Sequence, residues 1–340
     1  MHTAAKVLLA TLALSANCAF VAPAQAVDFS GKTITVLSSF APGGGYDIYG
    51  RTFAAHVGLH LPGRPTVIVR NMPGAGGLIG TNYLFNVAPR DGTTIGVVPQ
   101  TVVIAQMLGG PAVKFEAQKF NWIGRINSNV ELEETWAASG IKTIADAKSA
   151  TVVVAGTGPD SSSVVFPNLL NDTVGTKFKV VSGYSGVSMA ALAMERGEVQ
   201  GMVRPWSVTK SMRPEWLRDK TINLIVQYAV RRHPELPKVP AVVDLAQTDA
   251  QRQVFALYAS GSDIGRSIVA PPGLSADMVQ ALRSAFDETV RDPAFLREIE
   301  TNALDLDPLG GRELQMLVEQ AESVPPEVVE AARRYHDNAK

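Results

Sequence analysis

The run Ile34-Thr-Val-Leu37 empties into Ser38-Ser39-Phe40-Ala41-Pro42-Gly43-Gly44-Gly45-Tyr46-Asp47, and a helical pattern begins at once. The order is strand, glycine loop, helix. Roughly thirty residues on, Val67-Ile-Val69 leads into Asn71-Met-Pro73-Gly74-Ala75-Gly76-Gly77-Leu78-Ile79-Gly80 and a second helical pattern. Two such loops at the ends of neighbouring strands would meet. Glycine takes positive φ without steric cost and admits a ligand to the backbone, and the first N–H groups of the helix behind it lack partners. Each loop can therefore present a nest of N–H groups to an anion. The helix dipole adds about 0.3–1 kcal/mol at an exposed end and up to ~2 when partly buried, whereas micromolar binding needs roughly 8 kcal/mol. One loop is too weak alone, so the pattern asks for a ligand enclosed by several loops and a second lobe. The competing view, that the glycines only turn the chain, fits a single loop more easily than two in the same setting.

Neither loop identifies its anion. A nucleotide P-loop needs Gly-Lys-Ser/Thr closing the glycine run, and no Lys stands there. A dinucleotide fingerprint needs a glycine three residues after Gly76, where Ile79 stands.

Further along, Asp91-Gly92 signals a turn before a buried strand, Ile95–Val98, whose end delivers Gln100 and Thr101. Open α/β sheets bind ligands beyond the carboxyl ends of their strands, so both are candidates, with helix capping as the alternative. A third unit follows: the strand Thr151–Ala155 runs into Gly156-Thr157-Gly158-Pro159-Asp160-Ser161-Ser162-Ser163. Its serines add hydroxyls to the N–H groups, or one of them caps the next helix. The strand Lys179–Ser182 reaches Gly183-Tyr184-Ser185-Gly186, and Gly197–Val203 leads to Arg204-Pro205-Trp206. Arg204 is the fixed positive charge that can be placed near the cleft, beside an indole, Trp206, able to stack on a ligand. Arginine pairs bidentately with carboxylates; the alternative is a solvated or structurally paired side chain. The strand Ile222–Tyr228 and the proline-punctuated segment 232–240 read as a return crossing. A strand at Ser267–Ala270, a helix over 276–292 capped by Ser275, and helical patterns at 312–322 and 327–336 close the chain. The last helices are expected on the first lobe.

The chain opens Met1-His-Thr-Ala-Ala-Lys6, continues apolar to about Ala16, and reaches Pro23-Ala24-Gln25-Ala26. This is a secretory signal with cleavage expected after about Ala26; its apolar run is well short of the ~18–20 residues of a membrane span. Cys18, the only cysteine, lies inside it behind Asn17, where lipid attachment would want a small residue. The exported chain is then expected to have no disulfide, thiol nucleophile or thiolate metal site. With 31 basic and 32 acidic residues and a net charge of −1, it has no electrostatic footprint for nucleic acid. His56 and His60 stand at i, i+4, a metal-pair spacing, but no Glu follows His56 and a half-exposed helix face is the simpler account. No cofactor or metal is expected.

The signal, Phe40-x-Pro42-Gly43-Gly44-x-x-Asp47, Asn71-x-Pro73-Gly74-Ala75-Gly76-Gly77, Ala88-Pro-x-Asp91-Gly92, Tyr184-x-Gly186 with Gly197-Glu198, Leu236-Pro-x-Val-Pro240 and Ala270-Pro-Pro-Gly273 together resemble the Bug family, the extracytoplasmic solute receptors of tripartite tricarboxylate transporters. The likeness spans nearly the whole mature chain, and the joint order of the motifs is what makes it specific. It implies an α/β, two-lobed periplasmic binding protein of the flytrap kind, each lobe a mostly parallel sheet flanked by helices, joined by two crossings. The implied division is 1–26 signal, 27–125 plus 229–340 first lobe, and 126–228 second lobe. In the family a ligand carboxylate is held largely by backbone N–H groups and bridging waters of two loops, which here are Pro42–Asp47 and Asn71–Gly77. The second lobe contributes the loops matching Gly156–Ser163 and Tyr184–Gly186. Family ligands are mostly small carboxylates: di- and tricarboxylates, amino acids and aromatic acids. Two features depart from the usual members: bulky Tyr46 where a small residue precedes the aspartate, and Arg204-Pro-Trp after the Gly-Glu-Val strand.

The expectation is a monomeric, non-catalytic periplasmic receptor that hands a small carboxylate to transporter membrane subunits. Asp47 would stabilise its helix dipole without touching the anion. A receptor presenting its ligand to a sensor kinase would look the same in sequence. An exported hydrolase has less support, since Gly183-Tyr-Ser185-Gly lacks the spacing of a nucleophile elbow.

Overall fold

The computed structural model describes residues 27–158 and 161–338, so the expected signal segment and Cys18 lie outside the described residues. In chain order the strands are β1 (Thr33–Ser38), β2 (Thr66–Asn71), β3 (Thr94–Val97), β4 (Asn121–Arg125), β5 (Glu131–Trp136), β6 (Val152–Gly156), β7 (Phe178–Ser182), β8 (Gly201–Pro205), β9 (Ile222–Tyr228), β10 (Ser267–Ala270) and β11 (Leu309–Gly310). They form two sheets, ordered β11-β4-β10-β3-β1-β2 and β7-β6-β8-β5-β9.

Most strands of each sheet run the same way, as expected, with β10 and β11 reversed in the first and β5 in the second. In the first, β1 runs parallel to β2 and β3, while β10 is antiparallel to β3 and β4. In the second, β6 is parallel to β7 and β8, while β5 is antiparallel to β8 and β9. The reversed strands β5 and β10 each follow a passage between sheets, so a chain re-entering from the other lobe starts its strand at the cleft edge.

Helices cover the first sheet because their apolar residues recur at helical spacing. Gly45–Val57 buries Tyr49, Phe53 and Val57 on one stripe. Ala276–Thr289 buries Val279, Leu282 and Phe286, with Ser275 accepting from Met278 N as its cap. Phe286 packs so closely on β4 that a Cβ at Gly124 would lie 2.3 Å from its ring, which requires glycine there. In the second lobe Ser162–Val174 buries Phe166, Leu169 and Leu170, with Phe166 stacked on Tyr228 at 4.2 Å.

The two final helices separate. Gly311–Glu322 places Leu314 and Val318 in the first lobe with Phe120 and Trp122. Pro326–Asn338 packs instead on the second: Val328 and Ala332 join Phe166, Val254 and Phe255 in one core, and Arg333 Nε donates to Leu108 O at 2.9 Å. The return segment after β9 likewise gives Val242 and Val254 to that core. Periodicity reveals an apolar face, and the turn at Pro325-Pro326 decides which sheet it meets.

The passages between sheets are bonded to one another. Arg266 N donates to Asn127 O at 2.9 Å, Ile126 N to Arg266 O at 2.8 Å, and Asn129 N to Ser262 O at 2.8 Å.

Candidate ligand site in the interlobe cleft

The glycine loops of β1, β2, β6 and β7 converge on one cleft between the sheets. Gly43 has φ 81, and Gly74 through Gly77 hold φ of 131, 47, 65 and 96 in succession, with Ala75 the non-glycine among them. Such a run is costly for side-chain-bearing residues and turns the backbone tightly before the helix Leu78–Asn86. The cleft offers about 70 Å³ to the centres of water-sized molecules, room for a few such groups.

Of the residues singled out in the sequence, Phe40, Pro42, Gly44, Gly45, Tyr46, Gly76 and Thr101 line the cavity from the first lobe. Thr157, Ser161, Ser162, Ser163 and Gly186 line it from the second. Others stand behind this wall. Asn71 Nδ2 donates to Phe40 O at 2.9 Å and to Asp47 Oδ1 at 2.7 Å, and Asp47 Oδ2 accepts from Gly43 N at 2.9 Å and Arg51 Nε at 2.8 Å. Burial alone would raise the Asp47 carboxyl, but Arg51, Asn71 and Gly43 outweigh it and hold it below its usual range. Asn71 and Asp47 thus tie the two loops together, with Gly74, Ala75 and Gly77 shaping the second. Gln100 N donates to the Tyr46 hydroxyl at 2.9 Å, and its side-chain oxygen accepts from Asn129. Gly156 O accepts from Gly183 N and Tyr184 N, anchoring the loop after β7.

Arg204 takes the structurally paired of the two readings open to it and does not line the cleft. Val203 and Pro205 line the cleft, so the alternation of a strand turns Arg204 to the opposite face. There it is 1% exposed, 3.0 Å from Glu134 and stacked at 4.5 Å on the Trp216 ring. Glu134 is its diagonal neighbour, since Leu132 pairs with Arg204 and Met202 with Glu134. Trp206 packs with Leu132 and Leu236, and its indole N–H donates to Glu235 at 2.5 Å. His56 and His60 also go to carboxylates, Glu298 at 2.7 Å and Asp292 at 2.9 Å.

Among the described residues, the charged groups that line the cavity are Arg266 and Glu131, which the sequence reading did not select. Arg266 immediately precedes β10, and Glu131 opens β5; both reversed strands begin at the edge where the parallel strands end. Arg266 is 0% exposed, and its Nε and Nη1 have no hydrogen-bond partner. Glu131 is buried, and its Oε2 has no hydrogen-bond partner. Burial pushes the Glu131 carboxyl up, against the opposing effects of Ser162 and the Arg266 charge. The available signal was a charged residue directly before an apolar strand, as in Gly265-Arg266-Ser267, but it acquires meaning only once strand direction is known.

The lobes meet around this cavity. Ser188 Oγ donates to Gly43 O at 2.9 Å, and a Cβ at Gly158 would lie 2.7 Å from Gly76 N.

Two α/β lobes joined by bonded passages around a cleft between them define the fold of a two-lobed periplasmic binding protein. The chain belongs to the tripartite tricarboxylate transporter family of receptors, the TctC or Bug group, whose family model, "Tripartite tricarboxylate transporter family receptor", matches residues 57–324. It is 24% identical over 332 residues to the "UPF0065 protein in gbd 5'region" of Cupriavidus necator, covering 95% of this chain and 93% of that one. Among solved structures it resembles the periplasmic binding protein BugD, with TM-score 0.70 and 19% identity over 89% of this chain and 97% of that one. MatC of Rhodopseudomonas palustris with bound malate gives TM-score 0.65 and 22% identity over 91% and 99%. An R. palustris protein with adipate gives 0.70 and 17% over 90% and 98%.

Proposed function

We propose that this chain is an exported, non-catalytic receptor that captures a small organic carboxylate between its lobes and delivers it to the membrane subunits of a tripartite tricarboxylate transporter. The observation that carries the reading is Arg266, a buried cation lining the cleft with two guanidinium nitrogens unpartnered. A buried charge without partners is expensive, and a carboxylate oxygen accepts charge-assisted hydrogen bonds from guanidinium N–H groups. Gly45 brings backbone beside it, and Gly44 and Gly76 line the same cavity, so the N–H nests and the arginine can act on one anion. Malate and adipate in two relatives of the same fold support the ligand class. The N-terminal signal pattern supports the periplasm as its compartment, and no helix among the described residues is long and apolar enough to cross a membrane.

The test is a thermal-shift screen of mature protein, unfolded and refolded to strip retained ligand, against mono-, di- and tricarboxylates, aromatic acids and amino acids. A ligand at a hundred times its dissociation constant should stabilise by about 2.7 kcal/mol. No shift with any of these acids would refute the carboxylate reading. Loss of uptake of the identified acid on deletion of the gene tests the transport role.

A further inference from the structure

We propose that the ligand is a zwitterion, a small amino acid or similar ammonium carboxylate, whose carboxylate pairs with Arg266 and whose ammonium pairs with Glu131. This rests on the carboxylate-receptor reading above and specifies the ligand class at that same site.

Arg266 enters the cavity from the first lobe and Glu131 from the second. Both are buried, and each leaves polar atoms unsatisfied: Nε and Nη1 of Arg266, and Oε2 of Glu131. An unsatisfied buried charge is strongly unfavourable, so the ligand that binds best closes both. A monocarboxylate answers Arg266 and leaves Glu131 Oε2 bare. A dicarboxylate sets a second negative charge against Glu131, where like charges repel. An ammonium carboxylate answers both with opposite charges, and its zero net charge matches the sum of the two side chains. Pairing across the cleft also links ligand capture to closure, because the two charges belong to different lobes. The apolar wall of Val187, Met189 and Val203 leaves room for a short aliphatic substituent within about 70 Å³.

The experiment compares melting of ligand-stripped protein with the twenty amino acids against their counterparts lacking the amino group, such as succinate for aspartate and propionate for alanine. The largest shift is expected from an amino acid, with at least tenfold tighter binding than its counterpart in calorimetric titration. Glu131→Gln should erase that ratio, and Glu131→Asp should keep part of it. A largest shift from an acid without an ammonium group, or a ratio that survives Glu131→Gln in a folded variant, overturns the zwitterion assignment and leaves the carboxylate reading standing. Failure of every acid, amino or not, overturns both.

Discussion

The Arg266 guanidinium lies over the Tyr46 ring, with Cζ 3.9 Å from its centroid, and Tyr46 is itself stacked on Phe40 at 4.4 Å and an interplanar angle of 12°. This three-tier stack joins the start of β10 to the first glycine loop. A desolvated cation over an aromatic face contributes roughly 2 kcal/mol, and a stacked aromatic pair about 0.5–1.5 kcal/mol beyond its burial. The face of the guanidinium is thus occupied by the ring, while Nε and Nη1 in its plane have no hydrogen-bond partner. Tyr46, which stands out in the sequence as a bulky departure in the glycine loop, holds the cation in position.

Arg266→Met should therefore separate binding from stability. Hydrogen bonds to a charged group are worth about 1.5–3 kcal/mol each, so affinity for the carboxylate should fall at least tenfold to a hundredfold by calorimetry. The ligand-free variant should melt at the same temperature as the parent or higher, because a buried charge lacking partners has been removed. A lower melting temperature with unchanged affinity would make Arg266 a structural residue.

Arg204 predicts the reverse. Breaking its buried pair with Glu134, 3.0 Å away, by Arg204→Met should cost about 3–5 kcal/mol of stability. The double replacement Arg204→Met with Glu134→Leu should recover much of that. The ratio of affinities for a diacid and its matching monoacid should not change in the folded fraction, since Arg204 faces away from the cleft. A selective loss of diacid binding would place the side chain at the ligand after all.

The contrast between these arginines shows what sequence carries. Strand, glycine loop and helix are local, and parallel strands end on one edge, so the order of residues is enough to gather Gly44, Gly76, Thr157 and Gly186 at one cleft. Period-2 alternation beyond Val203 would have turned Arg204 away from the cleft had Val203 been placed inward first. Arg266 and Glu131 were not legible in this way. Their position depends on β10 and β5 running backwards after a passage between lobes, a tertiary fact that no short window contains. The same holds for the helix Pro326–Asn338, whose apolar face was visible but whose lobe was not.

Acidic side chains facing into the second sheet should make stability fall as pH rises. Burial pushes the Glu133 carboxyl from 4.5 to about 8, opposed by a hydrogen bond from Tyr228 and reinforced by Glu134. Its folded value lies above its unfolded one, so between about pH 5 and 8 the native state holds the proton that the unfolded chain has lost. Each step upward in that window destabilises the fold, by a few kcal/mol across it, and the loss levels off above the folded value. Glu131 and Glu134 are raised in the same direction, burial being the main cause in each. Melting temperature should decline over this range, and Glu133→Gln should flatten the decline. A parent profile that rises with pH would contradict the direction of all three shifts.

Backbone meets backbone across the cleft at Gly158 and Gly76. A Cβ at Gly158 would sit 2.7 Å from Gly76 N, a backbone atom that cannot rotate aside. Gly158→Ala should hold the lobes slightly apart, strain the neighbouring Ser188 to Gly43 hydrogen bond of 2.9 Å, and leave Arg266 and Glu131 too far apart to share one small ligand. Gly158 does not need a left-handed backbone, so alanine there costs the separate folding of each lobe nothing and stiffens the unfolded chain by about 0.4–1 kcal/mol. Affinity should drop through faster release more than slower capture, with the ligand-free melting temperature steady or slightly raised. Gly110→Ala, where nothing lies within 4 Å of the added atom, is the matched control and should leave release unchanged. Equal release rates for the two variants in stopped-flow measurements would mean that the contact at Gly158 plays no part in holding the ligand, and that enclosure depends on the charged pair alone.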